Sequence, residues 1–148
     1  MATLWQETDR KQLFDRVRKL TPEQRPLWGK MAAHQMMAHV NDALRASLGE
    51  LKVKPKWLPF RYPPLQQLII YAAPIPRNAP TAPELLLRID KAQWADEQKA
   101  FPQLVARFAA IAPDAAWPEH GAFGHLSRRA WGVLMFRHTD HHFRQFGI

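Results

Sequence analysis

Proline is concentrated in one part of this chain, and its distribution limits where long helices can form. Eight of the 13 prolines lie between Pro55 and Pro83. Because proline lacks the backbone N–H that a helix interior needs and its ring clashes with the preceding turn, continuous helix is excluded over most of this stretch. One short helix, at about residues 65–73, fits between the proline clusters. The remainder is predicted to be a long ordered connection packed by Trp57, Leu58, Phe60 and Tyr62.

Outside that stretch, apolar residues recur at helical spacing. They predict four long helices, at about residues 8–20, 29–48, 91–110 and 127–146. Local signals mark several helix ends: a cap at Thr8 or Asp9, a helix-start motif at residues 21–24 (TPEQ), a stop at Gly49 and a cap at Ser127. Pro102 predicts a kink inside the third long helix. No segment alternates with period two. The prediction is an all-α fold in a single domain spanning residues 1–148.

Composition narrows the class of protein. There is no cysteine, so disulfides, thiolate metal sites and a cysteine nucleophile are excluded. The first residues do not resemble a secretion signal, and no apolar run approaches the length of a membrane span. The expectation is a cytoplasmic protein with no membrane partner.

The net charge of +8 is unevenly distributed. No acidic residue occurs between Glu50 and Glu84 or between Glu119 and Asp140, whereas the first stretch carries lysines and arginines and the second carries three arginines. A basic surface with interleaved aromatics can bind nucleic acid. It is equally typical of a solvated face, or of a positive rim that attracts an anionic substrate. Since no nucleic-acid-binding motif accompanies the charge, nucleic acid is the less favoured partner.

Three of the seven histidines fall within five residues near the C-terminus. His138 and His142 are four residues apart, which places both imidazoles on one face of a helix and suits two ligands of one metal ion. The alternative is that both are partly exposed or hydrogen-bonded to backbone and carboxylates. His39 lies at the edge of an apolar stripe on the second predicted helix and is the best candidate for a third ligand. His34, His120 and His125 are not expected to be ligands.

Two parts of the sequence resemble the DinB/YfiT-like superfamily: residues 28–42 (WGKMAAHQMMAHVND) and residues 138–145 (HTDHHFRQ). Residues 127–134 (SRRAWGVL) and 144–147 (RQFG) are similar to a bacterial branch of it, the DUF1569 family. The resemblance covers most of the chain. The superfamily's frequent His-Arg-Gly-Gln ending appears here as HFRQ at residues 142–145, so the ligand spacing is kept while its surroundings differ.

The resemblance implies a DinB-like four-helix bundle, often a homodimer, in which His39, His138 and His142 hold a metal ion. Related members include metal-dependent thiol transferases and a thiol-dependent isomerase. Three imidazoles leave open positions on a divalent ion such as Zn²⁺ or Ni²⁺.

The leading hypothesis is therefore a metal-dependent transferase or hydrolase that activates a thiol or water toward a small molecule, such as a low-molecular-weight thiol or an anionic compound. The alternative is a metal- or ligand-binding bundle without catalysis. Candidates for orienting the ligands are His141, Asp42 and Gln145, each of which is also a plausible helix-surface residue. Asp140 ranks below them. It is two residues from both His138 and His142 on the predicted helix, so its side chain should point away from these two ligands.

Overall fold

The computed structural model describes residues 1–77, 79 and 93–148, and these residues form a bundle of helices. The helices are α1 (Glu7–Val17), α2 (Ala33–Ser47), α3 (Leu65–Tyr71), α4 (Trp94–Ala109) and α5 (Arg128–Gln145), with a 3₁₀ turn at Pro59–Arg61. No strand is found in the described part of the chain. The predicted all-α fold, with four long helices and one short extra helix, is confirmed.

The four long helices pack as a closed bundle. Both α1 and α2 lie against α4 and α5, so α1 and α2 face each other across the core. The apolar stripes predicted for these helices are buried at their contacts, at residues such as Leu13, Met36, Val40, Phe101, Val105, Phe108 and Trp131. Burying each such side chain contributes about 1.5–3 kcal/mol, so these stripes drive the assembly. Within the described residues, no helix combines the length and apolar character needed to cross a membrane.

The first helix differs from its prediction at both ends. Its cap is Gln6 rather than Thr8 or Asp9. The Asp9 carboxylate instead lies inside the first turn and accepts a hydrogen bond from the Thr3 N–H at 2.8 Å. The helix ends at Val17, although Leu20 is still buried beyond it. The apolar Leu20 continued the helical pattern of the sequence, so the helix was predicted too long. In the structure this residue is buried without being part of the helix.

Residues 21–32 contain the largest errors of the helix prediction. No helix starts at residues 21–24, which form a turn, and α2 begins at Ala33 rather than at residue 29. The end of α2 is as predicted: Gly49, at φ 78°, follows the helix. Its N–H donates to the Ala46 carbonyl and the Glu50 N–H to the Arg45 carbonyl, which is the Schellman pattern of a glycine-terminated helix.

The proline-rich connection is held by an arginine and by only part of the predicted packing set: the partly buried Phe60 packs against Phe123, with ring centroids 5.5 Å apart. The side chains of Trp57 and Tyr62 are 82% and 59% exposed, so the prediction that they pack this segment is wrong. Arg61 is buried instead, donates to the Gly121 carbonyl at 2.8 Å and pairs with Glu119. A guanidinium offers five N–H donors, so one side chain satisfies several loop carbonyls at once.

The remaining helices match their predictions more closely. Helix α3 ends at Tyr71 rather than at residue 73. The predicted start of the fourth helix at residue 91 lies outside the described residues, and α4 continues through Pro102. The hydroxyl oxygen of Ser127 caps α5 as predicted, accepting a hydrogen bond from the Ala130 N–H at 3.2 Å.

Candidate metal centre

Three histidine side chains meet between α2 and α5. His138 and His142 lie one turn apart on α5, and His39 faces them from α2. The centroids of the three rings are 4.6–4.8 Å apart. One ring nitrogen from each residue lies within 4.8 Å of the other two. The structure thus brings together all three residues that the sequence analysis selected as metal ligands.

The spacing of the nitrogen atoms suits a common metal ion. The closest pair, His39 Nε2 and His138 Nε2, is separated by 2.9 Å. Two imidazole ligands of a tetrahedral zinc ion are about 3.3 Å apart, given Zn–N bonds of about 2.0–2.1 Å. For this pair, a shift of a few tenths of an ångström reaches the spacing of two ligands on one ion. A set made only of imidazole nitrogens favours Zn²⁺, Ni²⁺ or a similar ion over Mg²⁺ or Ca²⁺.

The site keeps His138 and His142 in the neutral form that binds metals. Burial, together with the neighbouring His39, lowers the pKa of His142 to about 3. Burial and the nearby imidazoles of His142 and His39 also hold the pKa of His138 well below its usual value of 6.5. At neutral pH both rings are therefore uncharged, so no charged imidazolium has to lose its proton before an ion can bind.

A hydrogen-bond chain sets the orientation of the His142 ring. The Gln145 Nε2 group donates to the Trp28 carbonyl at 2.9 Å, which turns Oε1 of the same amide toward His142. This oxygen lies 2.9 Å from His142 Nδ1, so Nδ1 must carry the hydrogen. The lone pair of His142 is therefore on Nε2, the nitrogen available to the cluster. Gln145 acts as a positioning residue of the kind that metal-binding histidines usually have.

The turn before α2 is shaped to hold this glutamine. Gly29 adopts φ 78°, and a Cβ atom at this position would lie 2.7 Å from Gln145 Nε2. The Leu27 N–H also donates to the Gln145 carbonyl at 2.7 Å. The early start predicted for α2 is wrong for this reason: residues 27–29 turn to contact α5 instead of continuing a helix. This contact, and so the importance of Trp28 and Gly29, has no signal in local sequence periodicity.

Replacing Gln145 with leucine is expected to lower metal affinity about 10–100-fold, since the ring of His142 loses its orienting partner. Competition with a chromophoric chelator would measure the change. Gln66→Leu is a matched control, because Gln66 is also a buried glutamine whose amide donates to backbone carbonyls, those of Arg61, Phe123 and His125. It should lose stability but keep its metal affinity. Equal metal affinity in the Gln145→Leu protein and the parent would contradict the positioning role.

Asp42 lies in a buried ionic network between α2 and α4. Its side chain is almost fully buried and pairs with Arg45 at 2.7 Å. Arg45 also contacts the buried Glu97 on α4 at 3.2 Å. Burial lowers the pKa of Arg45, but the hydrogen bonds and charges of these two carboxylates raise it overall. The structure thus gives Asp42 a role in joining the helix of His39 to α4.

The neighbours of the ligands on α5 point in other directions. Asp140 pairs with Arg16 at 2.7 Å and with Arg144 at 3.0 Å, in keeping with its predicted orientation away from the ligands. The buried ring of His141 packs edge-on against Trp28 and His142, with centroids 5.9 and 5.3 Å apart. Burial lowers the pKa of His141, and the charge of Arg144 adds to this effect.

His120 has a structural role that the sequence analysis did not foresee. Its Nδ1 accepts hydrogen bonds from the backbone N–H groups of Ala122 and Phe123, both at 3.1 Å. Burial, aided by the charge of Arg61, lowers its pKa to about 4, so the ring is neutral at pH 7. The ring packs against Trp131, with centroids 5.3 Å apart. It therefore holds the loop that leads into α5.

Comparison with known proteins places the chain in a family without assigning it an activity. No curated protein matches it, and neither does any solved structure. The family model described as "Protein of unknown function (DUF1569)" matches residues 5–147, which include both helices of the histidine cluster. The chain therefore belongs to the DUF1569 family.

Proposed function

We propose that this protein is a metal-dependent enzyme of the DinB-like superfamily, in which His39, His138 and His142 hold a divalent ion, Zn²⁺ or Ni²⁺. The reaction is transfer or hydrolysis of a small molecule, with a thiol or a water molecule as the nucleophile. The observation that carries this proposal is the meeting of three imidazoles from two helices, with His39 and His138 about a hundred residues apart in the chain.

The free-energy cost of burying the three imidazoles supports a metal-binding role for the cluster rather than a purely structural one. Burying three imidazoles side by side is unfavourable unless their nitrogens have partners. A hydrogen bond joins at most two nitrogens, whereas a metal ion satisfies all three at once. Gln145 adds to the support, because it leaves His142 Nε2 without a hydrogen and faces its lone pair toward the other rings.

The chemistry follows from the number of ligands. Three protein ligands leave at least one coordination position of the ion open. A water or thiol bound at that position would have its pKa lowered toward neutrality by the ion. The chain's own residues hold the ion, orient the ring of His142 through Gln145 and exclude water by packing α2 against α5. The proposal places this activity in the bacterial cytoplasm, in a protein that forms a homodimer as the superfamily resemblance implies.

The second candidate function is metal or ligand binding without catalysis. It is favoured by the same histidine cluster, which among the described residues includes no carboxylate to act as a general base. Nucleic-acid binding is supported by the net charge alone.

Binding of thiols to metal-loaded protein would test the thiol version of the proposal. Untagged protein is stripped with a chelator, reloaded with one equivalent of Zn²⁺ or Ni²⁺, and heated with cysteine or with S-methylcysteine. Cysteine should raise the melting temperature of the loaded protein only, because the S-methyl ether cannot form a thiolate. In Co²⁺-loaded protein, the same thiol should produce a sulfur-to-cobalt charge-transfer band.

The water version is tested by metal-dependent hydrolysis of a simple activated ester. Turnover should require the ion and disappear in a His138→Ala protein. If the protein binds one equivalent of metal, yet shows neither thiol coordination nor ester turnover above the His138→Ala background, the enzyme proposal fails. The binding function then remains. Failure to bind metal at all would remove both.

A further inference from the structure

A cavity of about 340 Å³ lies beside the metal centre, on the outer side of α5. Its size is within the range of small-molecule sites and too small for a folded partner. Its polar and aromatic lining comes from Trp28, Arg77, Arg137, Asp140, His141 and Arg144. Two of these residues link it to the metal centre: the His141 ring contacts that of His142, and the Trp28 carbonyl holds Gln145.

Positive charge dominates this cavity. Three guanidinium groups line it, and among the described lining residues Asp140 is the single carboxylate. That carboxylate is already shared, since Arg16 binds Oδ1 from outside the cavity and Arg144 binds Oδ2. The cavity therefore concentrates cationic charge that its own lining does not neutralise, an arrangement that attracts small anions.

The three arginines have different roles in the cavity wall. Arg137 is built into the fold, because its guanidinium donates to the carbonyls of Ile69, Ile70 and Ala73 at the end of α3. Arg77 lies over the Trp28 ring, with its Cζ atom 4.7 Å from the ring centroid. Within the described residues it forms no hydrogen bond. Arg77 and Arg144 are thus the cations with donors left for a ligand.

We propose that this cavity is an anion-binding site that takes a carboxylate or phosphate group of a small molecule. The N–H edges of Arg77 and Arg144 bind the anion, as guanidinium groups do with planar or tetrahedral oxyanions. The Trp28 ring holds Arg77 in place and offers apolar surface to the rest of the ligand. Taking this ligand as the anionic end of the substrate rests on the proposed function, while anion binding itself does not require the metal.

Isothermal titration calorimetry with inorganic phosphate and with succinate tests the site, on metal-free and metal-loaded protein in 0.1 M chloride. Removal of one guanidinium in Arg77→Gln or Arg144→Gln is expected to weaken binding about 10-fold or more, as for other charge-assisted hydrogen bonds. Arg107→Gln is the matched control, since Arg107 is a half-exposed arginine on α4 that pairs with Glu50. It should bind both anions as the parent does.

The outcomes separate the two proposals. Anion binding that is weakened only by the cavity variants supports the site, whether or not the protein binds metal. Absence of binding at 10 mM of either anion overturns it, and so does equal weakening in Arg107→Gln, which would indicate non-specific charge attraction. Metal binding without anion binding leaves the proposed function standing and removes only the anion site. Tight binding of a short single-stranded oligonucleotide that is lost in the same variants would instead assign the basic surface to nucleic acid.

Discussion

Replacing His138 with alanine is expected to remove one equivalent of bound metal and most of the stabilisation that the metal provides. His138 Nε2 lies closest to His39 Nε2, so its loss leaves two nitrogens on different helices and breaks the convergence of the set. Loss of a ligand should weaken affinity by more than the roughly 10–100-fold that loss of an orienting partner costs. A free metal concentration of about 1,000 Kd stabilises the parent by about 4 kcal/mol, whereas a Kd weakened about 10,000-fold leaves roughly one-tenth of the sites occupied and about 0.1 kcal/mol of this gain.

Metal content by mass spectrometry and thermal unfolding with and without chelator would measure both effects. His39→Ala and His142→Ala should behave in the same way. The control on the same helix as His39 is His34→Ala, because His34 lies outside the cluster. His125→Ala provides an exposed control in the loop before α5. If any of the three cluster variants folds and keeps the metal content of the parent, the ligand assignment is wrong.

Replacing Gly132 with alanine is expected to lower the free energy of unfolding by about 2 kcal/mol, although alanine is favoured over glycine by about 1 kcal/mol inside a helix. A Cβ atom at Gly132 would lie 2.1 Å from Trp5 Nε1 and 2.5 Å from Thr3 Oγ1. Trp5 cannot move aside cheaply, because it donates to the Arg128 carbonyl at 2.9 Å and stacks on Phe108 at 4.8 Å.

Thermal unfolding should show a fall of about 6 °C for this variant, at roughly 3 °C per kcal/mol for a chain of this length. A double-mutant cycle with Trp5→Leu supplies the control. If the clash with the indole causes the loss, Gly132→Ala should cost much less in the Trp5→Leu background. Additive costs would show that the glycine is needed for another reason.

The ends of the long helices show which features can be predicted from nearby residues alone. The hydroxyl of Ser127 and the glycine at residue 49 were placed correctly, because caps and stops act through hydrogen bonds within a few residues of the helix. The helix start predicted from the TPEQ motif at residues 21–24 was wrong, although this pattern is equally local. There, Gln24 donates its amide to the Phe146 carbonyl at the far end of the chain. A competing tertiary hydrogen bond outweighed the helix-start pattern.

The prediction that Trp57 and Tyr62 pack the proline-rich connection was wrong for a different reason. Its aromatic content indicated packing, yet Trp57 is the most exposed large apolar residue of the described chain. The ordering comes from Arg61, whose charge predicted a surface position. A buried arginine is stable only where several acceptors meet, and those acceptors come from residues about sixty positions away.

For the candidate site, sequence alone determined which histidines share a face of α5 and that His39 lies on the inner side of its own helix. The angle of a residue around its helix follows from 3.6 residues per turn, so this much is local geometry. The tertiary structure decided that the two faces meet at 2.9 Å, that Gln145 and the Trp28 carbonyl set the tautomer of His142, and that the arginines gather beside them. Such distances between helices depend on how the core packs, and periodicity along one helix carries no information about them.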